Sequence, residues 1–589
     1  MKRTRTAIVA VLALGTASLI MASVAPAANA AGGIAINAKA VGPAPALPGT
    51  VKGGTVNYTG KSDVNHLDPT RCYDTFCMNI GRLLWRTLTG IQLDAKGKQT
   101  LVGDLASDVG TPSNGGKTWT FKLRSGVKWE DGKAVTCADL KYGIGRTWDQ
   151  DADSVVLSGG TSYPIASIEN ANGFKGPYAT PTKELSGVTC GTSGSVETIT
   201  FKLKKAEGDF NFQTTMPNYA AVRKDKDTGV NYDNEVFSNG PYKIQSRIKK
   251  DKTIMVRNTS WDGKTDPIRL QNVEKIDMLL GQDSVNTNNL YIENTGRAVN
   301  GFVNGPLTQN VPVIYDAEKD ALQPIFENRG YYGKNPYVYW LAINVEKVTD
   351  LNLRKAVQCA LNVEGMRATV GGKSAGDFTS SLAPEGVGGY SKSTVCSTSP
   401  KGDVAKAKAF MAKVKKNKEL VFAYSNATKD AENEALSLQS SLKKAGINVK
   451  IKPIDSTEYY TILEEQGPDA PDLMLYAWGY DWPNASTIYP PLFRSELVGT
   501  DVVGENKSRV TDKKLDAMLV AAAAETNPAK QTAAWVAIDK YIVNTIAAVV
   551  PMWQSKTLLW RGSNVGNIYN PIANSYDWAT MYIKNPKLN

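Results

Sequence analysis

The chain has 589 residues, 42% apolar and 21% charged, which is the composition of a folded globular protein too long for one compact core. The formal charge is +11, with Lys2, Arg3 and Arg5 supplying three; the runs Lys249–Lys252 and Lys413–Lys418 read as solvated faces, which speaks against a nucleic-acid surface. A single histidine, His66, excludes a His-rich metal centre and speaks against a Ser-His-Asp hydrolase.

Residues 1–30 have a basic head, an apolar stretch and the small-x-small run Ala28-Asn29-Ala30, the pattern of a signal peptide. No cysteine follows the apolar stretch, so no lipid anchor is written there. Residues 31–50, rich in Ala, Gly and Pro, read as a flexible leader, with the fold starting near Gly54. The segments 117–136 and 196–206 are strand-rich, with turn signals at Ser125-Gly126 and Asp131-Gly132, and 239–258 reads as a hairpin. Residues 350–362 have a helical period, with Leu353, Val357, Ala360 and Leu361 on one face. Then "LVFAYS" (420–425), a helix over 431–445 with Leu436, Leu438 and Leu442 inward, a stop at Gly446 and "INVKIKPI" (447–454) make a β-α-β unit. "DLMLYAW" (472–478) is a further buried strand, and "VVPMWQSKTLLWRG" (549–562) is a last strand expected to return to the first half. Two lobes joined by more than one crossing form a hinge architecture.

All six cysteines lie in the exported part, and 15 pairings are open to them. Cys72 and Cys77 are close enough for a local bridge; Cys137 with Cys190 and Cys359 with Cys396 are the expected remainder. Catalytic motifs are wanting. No Gly-x-Ser-x-Gly elbow occurs, Gly372-Lys373-Ser374 lacks the first glycine of a phosphate loop, and Ser125-x-x-Lys128 and Ser441-x-x-Lys444 lack companion motifs.

The stretch "MLYAWGYDWPNAS" (474–486) is different. It sets one carboxylate, Asp481, among Trp478, Tyr480 and Trp482 just past the end of a strand, where open α/β sheets bind ligands. An acid among rings is costly unless paired. The partner is a ligand cation, or else Asp481 caps a helix or meets a local arginine.

Four blocks in order carry a resemblance: "LASDVGTPSNGGKTWTFKLRSGVKWEDGKAVTCADLKYGIGR" (105–146), "SNGPYKI" (238–244), "LAINVEKVTDLNLRKAVQCALN" (341–362) and "LQSSLKKAGINVKI" (438–451). With these the chain resembles the extracytoplasmic solute-binding proteins of the peptide and nickel class, family 5, receptors of ABC importers. The resemblance implies an α/β, periplasmic-binding-protein-like (type II) fold of two hinged lobes. It divides the chain into lobe I over 51–90, an extra subdomain over 91–208, lobe I again over 209–330, lobe II over 331–548 and a lobe I return over 549–589. It implies a monomeric, non-catalytic receptor at the outer face of the cytoplasmic membrane, with no cofactor, that delivers a short peptide to a membrane permease. Oligosaccharide cargo is the alternative, and nickel is disfavoured by a lone His66 expected far from the cleft loop. Asp481 falls on the acid that binds the peptide ammonium, Ala477 to Gly479 on the edge that pairs with an extended peptide, and Trp478 on a pocket aromatic. Tyr480 and Trp482 complete the expected ligand-binding set.

Overall fold

The computed structural model describes residues 33–149, 157–303, 305–392, 396, 399–455, 458–464, 469–498 and 506–588. The signal peptide expected over 1–30 lies outside them. Among the described residues no helix is long and apolar enough to cross a membrane.

Lobe I is built on a five-stranded sheet in the order Gly301–Phe302, Thr55–Thr59, Lys275–Leu279, Lys252–Arg257, Tyr242–Ile248. The last two strands are the expected antiparallel hairpin. Under the sheet lies a core of Val56, Tyr58, Leu83, Leu84, Met278 and Trp578, so the C-terminal residues help to close the first lobe. The extra subdomain carries an antiparallel sheet in the order Thr111–Ser113, Thr118–Lys122, Val196–Lys202, Val188–Ser193. Its helix Cys137–Gly145 starts at a full capping box, in which the Thr136 and Asp139 side chains each bond the other's backbone N–H.

The expected leader is a structured part of the fold. Ala35–Asn37 pairs in parallel with Thr100–Val102, and Ala40, Ala44 and Leu47 are buried. The Ala/Gly/Pro composition signals an absence of regular structure within the segment. It does not register that an adjacent sheet edge has backbone groups to satisfy.

Lobe II holds a six-stranded mixed sheet in the order Gly376–Phe378, Val549–Trp560, Gly330–Ile343, Leu473–Trp478, Leu420–Ser425, Val449–Ile454. The β-α-β unit is present, its strands parallel and joined by the helix Lys429–Lys443. On that helix Ala435, Leu438 and Leu442 are buried but Leu436 is exposed. Residues i and i+2 on a helix lie about 200° apart, so Leu436 and Leu438 cannot share a face. Ser441, in one of the rejected Ser-x-x-Lys motifs, donates its hydroxyl to Ala360 O at 2.7 Å and accepts from Asn362 N, tying two helices together.

The return to lobe I starts later than residue 549. Val549–Gln554 pairs with Val338–Ala342 inside the lobe II sheet, and only Lys556–Trp560, paired with Gly330–Lys334, runs out toward lobe I, where Trp560 packs on Tyr291 and Phe326. The two long strands cross between the lobes side by side. Their register breaks between Lys334 and Val338, at Asn335-Pro336-Tyr337, where proline has no N–H to give the ladder.

The cysteines pair as Cys72–Cys77, Cys137–Cys190 and Cys359–Cys396, with Cα separations of 5.8, 5.8 and 5.1 Å. The second closes a separation of 53 residues and ties the subdomain helix to an edge strand. Its removal, in a Cys137→Ser/Cys190→Ser double variant, is expected to lower stability by about 2–4 kcal/mol, the usual gain from constraining a long loop of the unfolded chain. Urea unfolding checks this; an unchanged midpoint would show that the bridge adds nothing.

Candidate functional site

Between the lobes lies a cavity of about 640 Å³, within the usual range for small-ligand sites. Lobe I supplies the loop from Asn65 to Met78 together with Gly159; lobe II supplies Pro336, Tyr337, Gly479, Tyr480 and Asp481. The lobe I loop is fixed by the Cys72–Cys77 bridge and by Asp74, which caps the helix Thr75–Gly81 by accepting from Cys77 N. On the other side the register break puts Tyr337 against Gly479, where an added Cβ would stand 2.9 Å from the ring.

Asp481 lines this cavity and is largely sheltered from water. Its carboxylate accepts from the Tyr73 hydroxyl at 3.1 Å and from the Tyr163 hydroxyl, both on the lobe I side. Burial pushes its pKa up, and the two hydroxyl donors oppose the rise. Burial and the neighbouring Asp481 charge drive the Tyr163 pKa far up, so that hydroxyl stays a neutral donor. Asp481 makes no ion pair with any described residue, and it neither caps a helix nor meets an arginine.

The rest of the expected set divides. Gly479 and Tyr480 reach the cavity, and the buried Tyr480 accepts from Gln99 Nε2 at 3.0 Å across the lobes. Ala477 lies in the strand Leu473–Trp478, paired with Tyr339 on one side; on the other, Leu420–Ser425 accompanies this strand only over Leu473–Met474, which leaves Ala477 on an edge. Trp478 does not line the cavity. It packs within lobe II and donates its indole N–H to Thr487 O at 2.8 Å. Trp482 does not line it either: 4% exposed, it sits in the subdomain core and donates to Asp209 Oδ2 at 3.1 Å, edge-on to Tyr163. Both tryptophans have large apolar bodies, and the local sequence does not say that the subdomain buries Trp482 or that Trp478 packs half-buried on lobe II.

Trp482 therefore belongs to a lobe–lobe seam. Asp209 also accepts from the Ser486 hydroxyl, and the neighbouring Gly208 donates its N–H to Ala523 O at 2.6 Å. A Cβ on Gly208 would fall 1.9 Å from Glu525 O, so only glycine permits this approach. Trp482→Phe replaces the indole by a smaller ring, taking one donor from buried Asp209 and leaving a small void in the core. A loss of about 1–3 kcal/mol is expected in urea unfolding; full retention of stability would mean that the N–H contributes nothing.

His66 is not remote from the cleft loop. It lines the same cavity as Asp481, its Nδ1 2.7 Å from Asp233 Oδ2. Among the described residues no group of three or more His, Cys, Asp or Glu side chains could hold a metal ion. Tyr73, Tyr163, Arg71 and Tyr337 complete the site, and nothing in their local sequence marks them except that Tyr73 falls between two close cysteines.

The model of the bacterial extracellular solute-binding proteins, family 5 (middle), matches residues 100–499, more than half of the chain. The chain belongs to this family. Among curated relatives, it is similar to the oligopeptide-binding protein OppA of Bacillus subtilis, 27% identical over 317 residues, a match covering 52% of each chain, or about half the length of that relative. It is also similar to the periplasmic murein peptide-binding protein MppA of Escherichia coli, 24% identical over 77% of this chain and 80% of that one. Among solved family 5 folds, a clavulanic acid biosynthesis oligopeptide binding protein 2 superimposes with a TM-score of 0.80 at 24% identity, covering 93% of this chain and 99% of that one. DppA from Helicobacter pylori in complex with the peptide STSA gives 0.61 at 17% identity, covering 91% and 99%. The two-lobed family 5 fold is thus the frame in which Asp481 stands.

Proposed function

We propose that the protein is a non-catalytic, extracytoplasmic receptor that captures short peptides between its lobes and hands them to the permease of an ABC importer. The observation that carries this is Asp481: a sheltered carboxylate on the cavity wall, held by two neutral hydroxyls and lacking a cation among the described residues. A peptide's α-ammonium supplies that cation, and the edge at Ala477–Gly479 suits an extended backbone. Relatives named for oligopeptide and murein-peptide binding support the same cargo. Oligosaccharide cargo has less support, since Trp478 and Trp482 do not line the cavity and offer no plate for a sugar ring. Ligand contacts come from both lobes, so binding favours the shut form.

Calorimetry with an intact tripeptide and its N-acetyl derivative tests the reading. The intact peptide is expected to bind at least tenfold more tightly; equal affinities would remove the ammonium from the account.

A further inference from the structure

The seam between the subdomain and lobe II buries a carboxylate that meets no cation among the described residues. Asp209 is 6% exposed, and its donors come from lobe II: the Trp482 indole N–H at 3.1 Å and the Ser486 hydroxyl, both on Oδ2. The charged groups around it do not compensate. Glu207, two residues back, is a second acid at the seam, and Asp481 is the chain neighbour of Trp482. On the lobe II side Glu525 stands next to Gly208 and accepts from Asn527 N at 2.7 Å. Of the nearby cations, Arg494 is turned to Glu496 at 3.4 Å, and Lys205 and Lys530 are exposed.

Trp482 ties this carboxylate to the ligand site. Its ring lies in the subdomain core, edge-on to Tyr163 at 4.9 Å, and the Tyr163 hydroxyl donates to Asp481. Seating the indole therefore carries the adjacent Asp481 to the lobe I tyrosines. A hinge that admits a ligand must part this seam, which withdraws Trp482 and Ser486 from Asp209 and lets water reach it. Burial raises the Asp209 pKa in the shut form, against the two donors. Burial likewise pushes the Glu207 carboxyl up to about 7, against a bond from Ser167. Hydration on opening returns Asp209 toward the ordinary carboxylate range. The shut form thus holds a proton more firmly than the open one, and falling pH shifts the balance toward it by up to about tenfold for each unit between the two pKa values. Because both donors land on Oδ2, a proton on Oδ1 leaves both bonds intact.

We propose that Trp482 and Asp209 form a proton-linked latch that seats Asp481 and holds the lobes shut, so that closure takes up a proton. This rests on the reading of capture between hinged lobes and adds what regulates it. The two acids of the seam then act in opposite senses on a bound peptide: a proton on Asp481 weakens the grip on the ammonium, whereas a proton on Asp209 tightens the lobes around it.

The test first removes the competing acid. The ligand-free mature Asp481→Asn protein and the Asp481→Asn/Asp209→Asn double variant are followed by small-angle X-ray scattering from about pH 5 to about pH 8.5. Asparagine accepts both donors through one oxygen, as a protonated aspartate does. The single variant is expected to be most compact at the acid end and to gain radius of gyration as the pH rises. The double variant should stay compact throughout, which also shows that it is folded. With Asp481 restored, a bound trialanine at about pH 8 should leave Asp209→Asn about 3–10-fold more slowly than the wild type, read by stopped-flow displacement. A radius that ignores pH in the single variant, the same change in both variants, or equal dissociation rates overturns the latch. If trialanine does not bind at all, the peptide reading falls, and the scattering still decides the latch.

Discussion

Asp481→Asn is expected to weaken peptide binding by about 2–5 kcal/mol, the usual loss when one partner of a sheltered, hydrogen-bonded charge pair is removed. The substitution keeps the shape of the side chain, and the amide can still bond Tyr73 and Tyr163. It removes a charge that burial already penalises without a cation in reach, as the raised pKa shows. The ligand-free variant should therefore unfold at the same temperature as the wild type or slightly above it. Loss of affinity without loss of stability separates a binding role from a structural one. Calorimetry and thermal unfolding read the two sides; a variant that binds the intact peptide as well as the wild type would sink the assignment. The pH dependence has a definite sign. Acidification through the raised pKa neutralises the carboxyl and should weaken ammonium binding, while the peptide amine stays charged throughout.

The second large effect lies in the buried charge cluster of lobe I. Arg86, Asp104, Asp266 and Arg269 are all essentially inaccessible to water. Asp104 Oδ1 accepts from Arg86 Nε at 2.6 Å and from Arg269 Nη1 at 3.0 Å, and Oδ2 accepts from Arg269 Nη2 at 2.7 Å and from Thr87 N at 3.2 Å. Two acids balance two arginines, and removal of one strands a buried positive charge. Asp104→Asn is expected to cost about 3–5 kcal/mol in urea unfolding; a loss below about 1 kcal/mol would mean the cluster is not balanced as described. Acid should act on the same cluster. Burial opposes ionisation of Asp266, but Arg86, Arg269 and two backbone donors outweigh it and hold its pKa at about 2. A carboxyl held low in the folded state adds stability at neutral pH that is lost as pH falls from the ordinary range near 4 toward 2. The unfolding midpoint should drop steeply across that interval, and less so in Asp266→Asn.

Much of the fold was legible in short segments. The β-α-β unit, the 242–257 hairpin and the helix Leu351–Ala360 follow from periods of 2 and 3.6 and from Gly446 as a stop. Such patterns record which face of an element is apolar, and Leu436, about 200° around the helix from Leu438, lies off that face. They do not record what covers it. The same limit hid the pairing of Ala35–Asn37 and the late exit of the strand Val549–Trp560 from lobe II, because both depend on a neighbour far away in sequence.

At the site, the local sequence shows an acid among rings just past a strand end. Packing of the lobes settles which rings face the cavity: Trp478 packs on lobe II and Trp482 in the subdomain core, while Tyr73, Arg71 and His66 reach the cavity and Tyr163 reaches Asp481. The reason is that a site between lobes is assembled from residues hundreds of positions apart. Tyr73 meets Asp481 across 408 residues, a contact set by packing of whole sheets rather than by any local pattern.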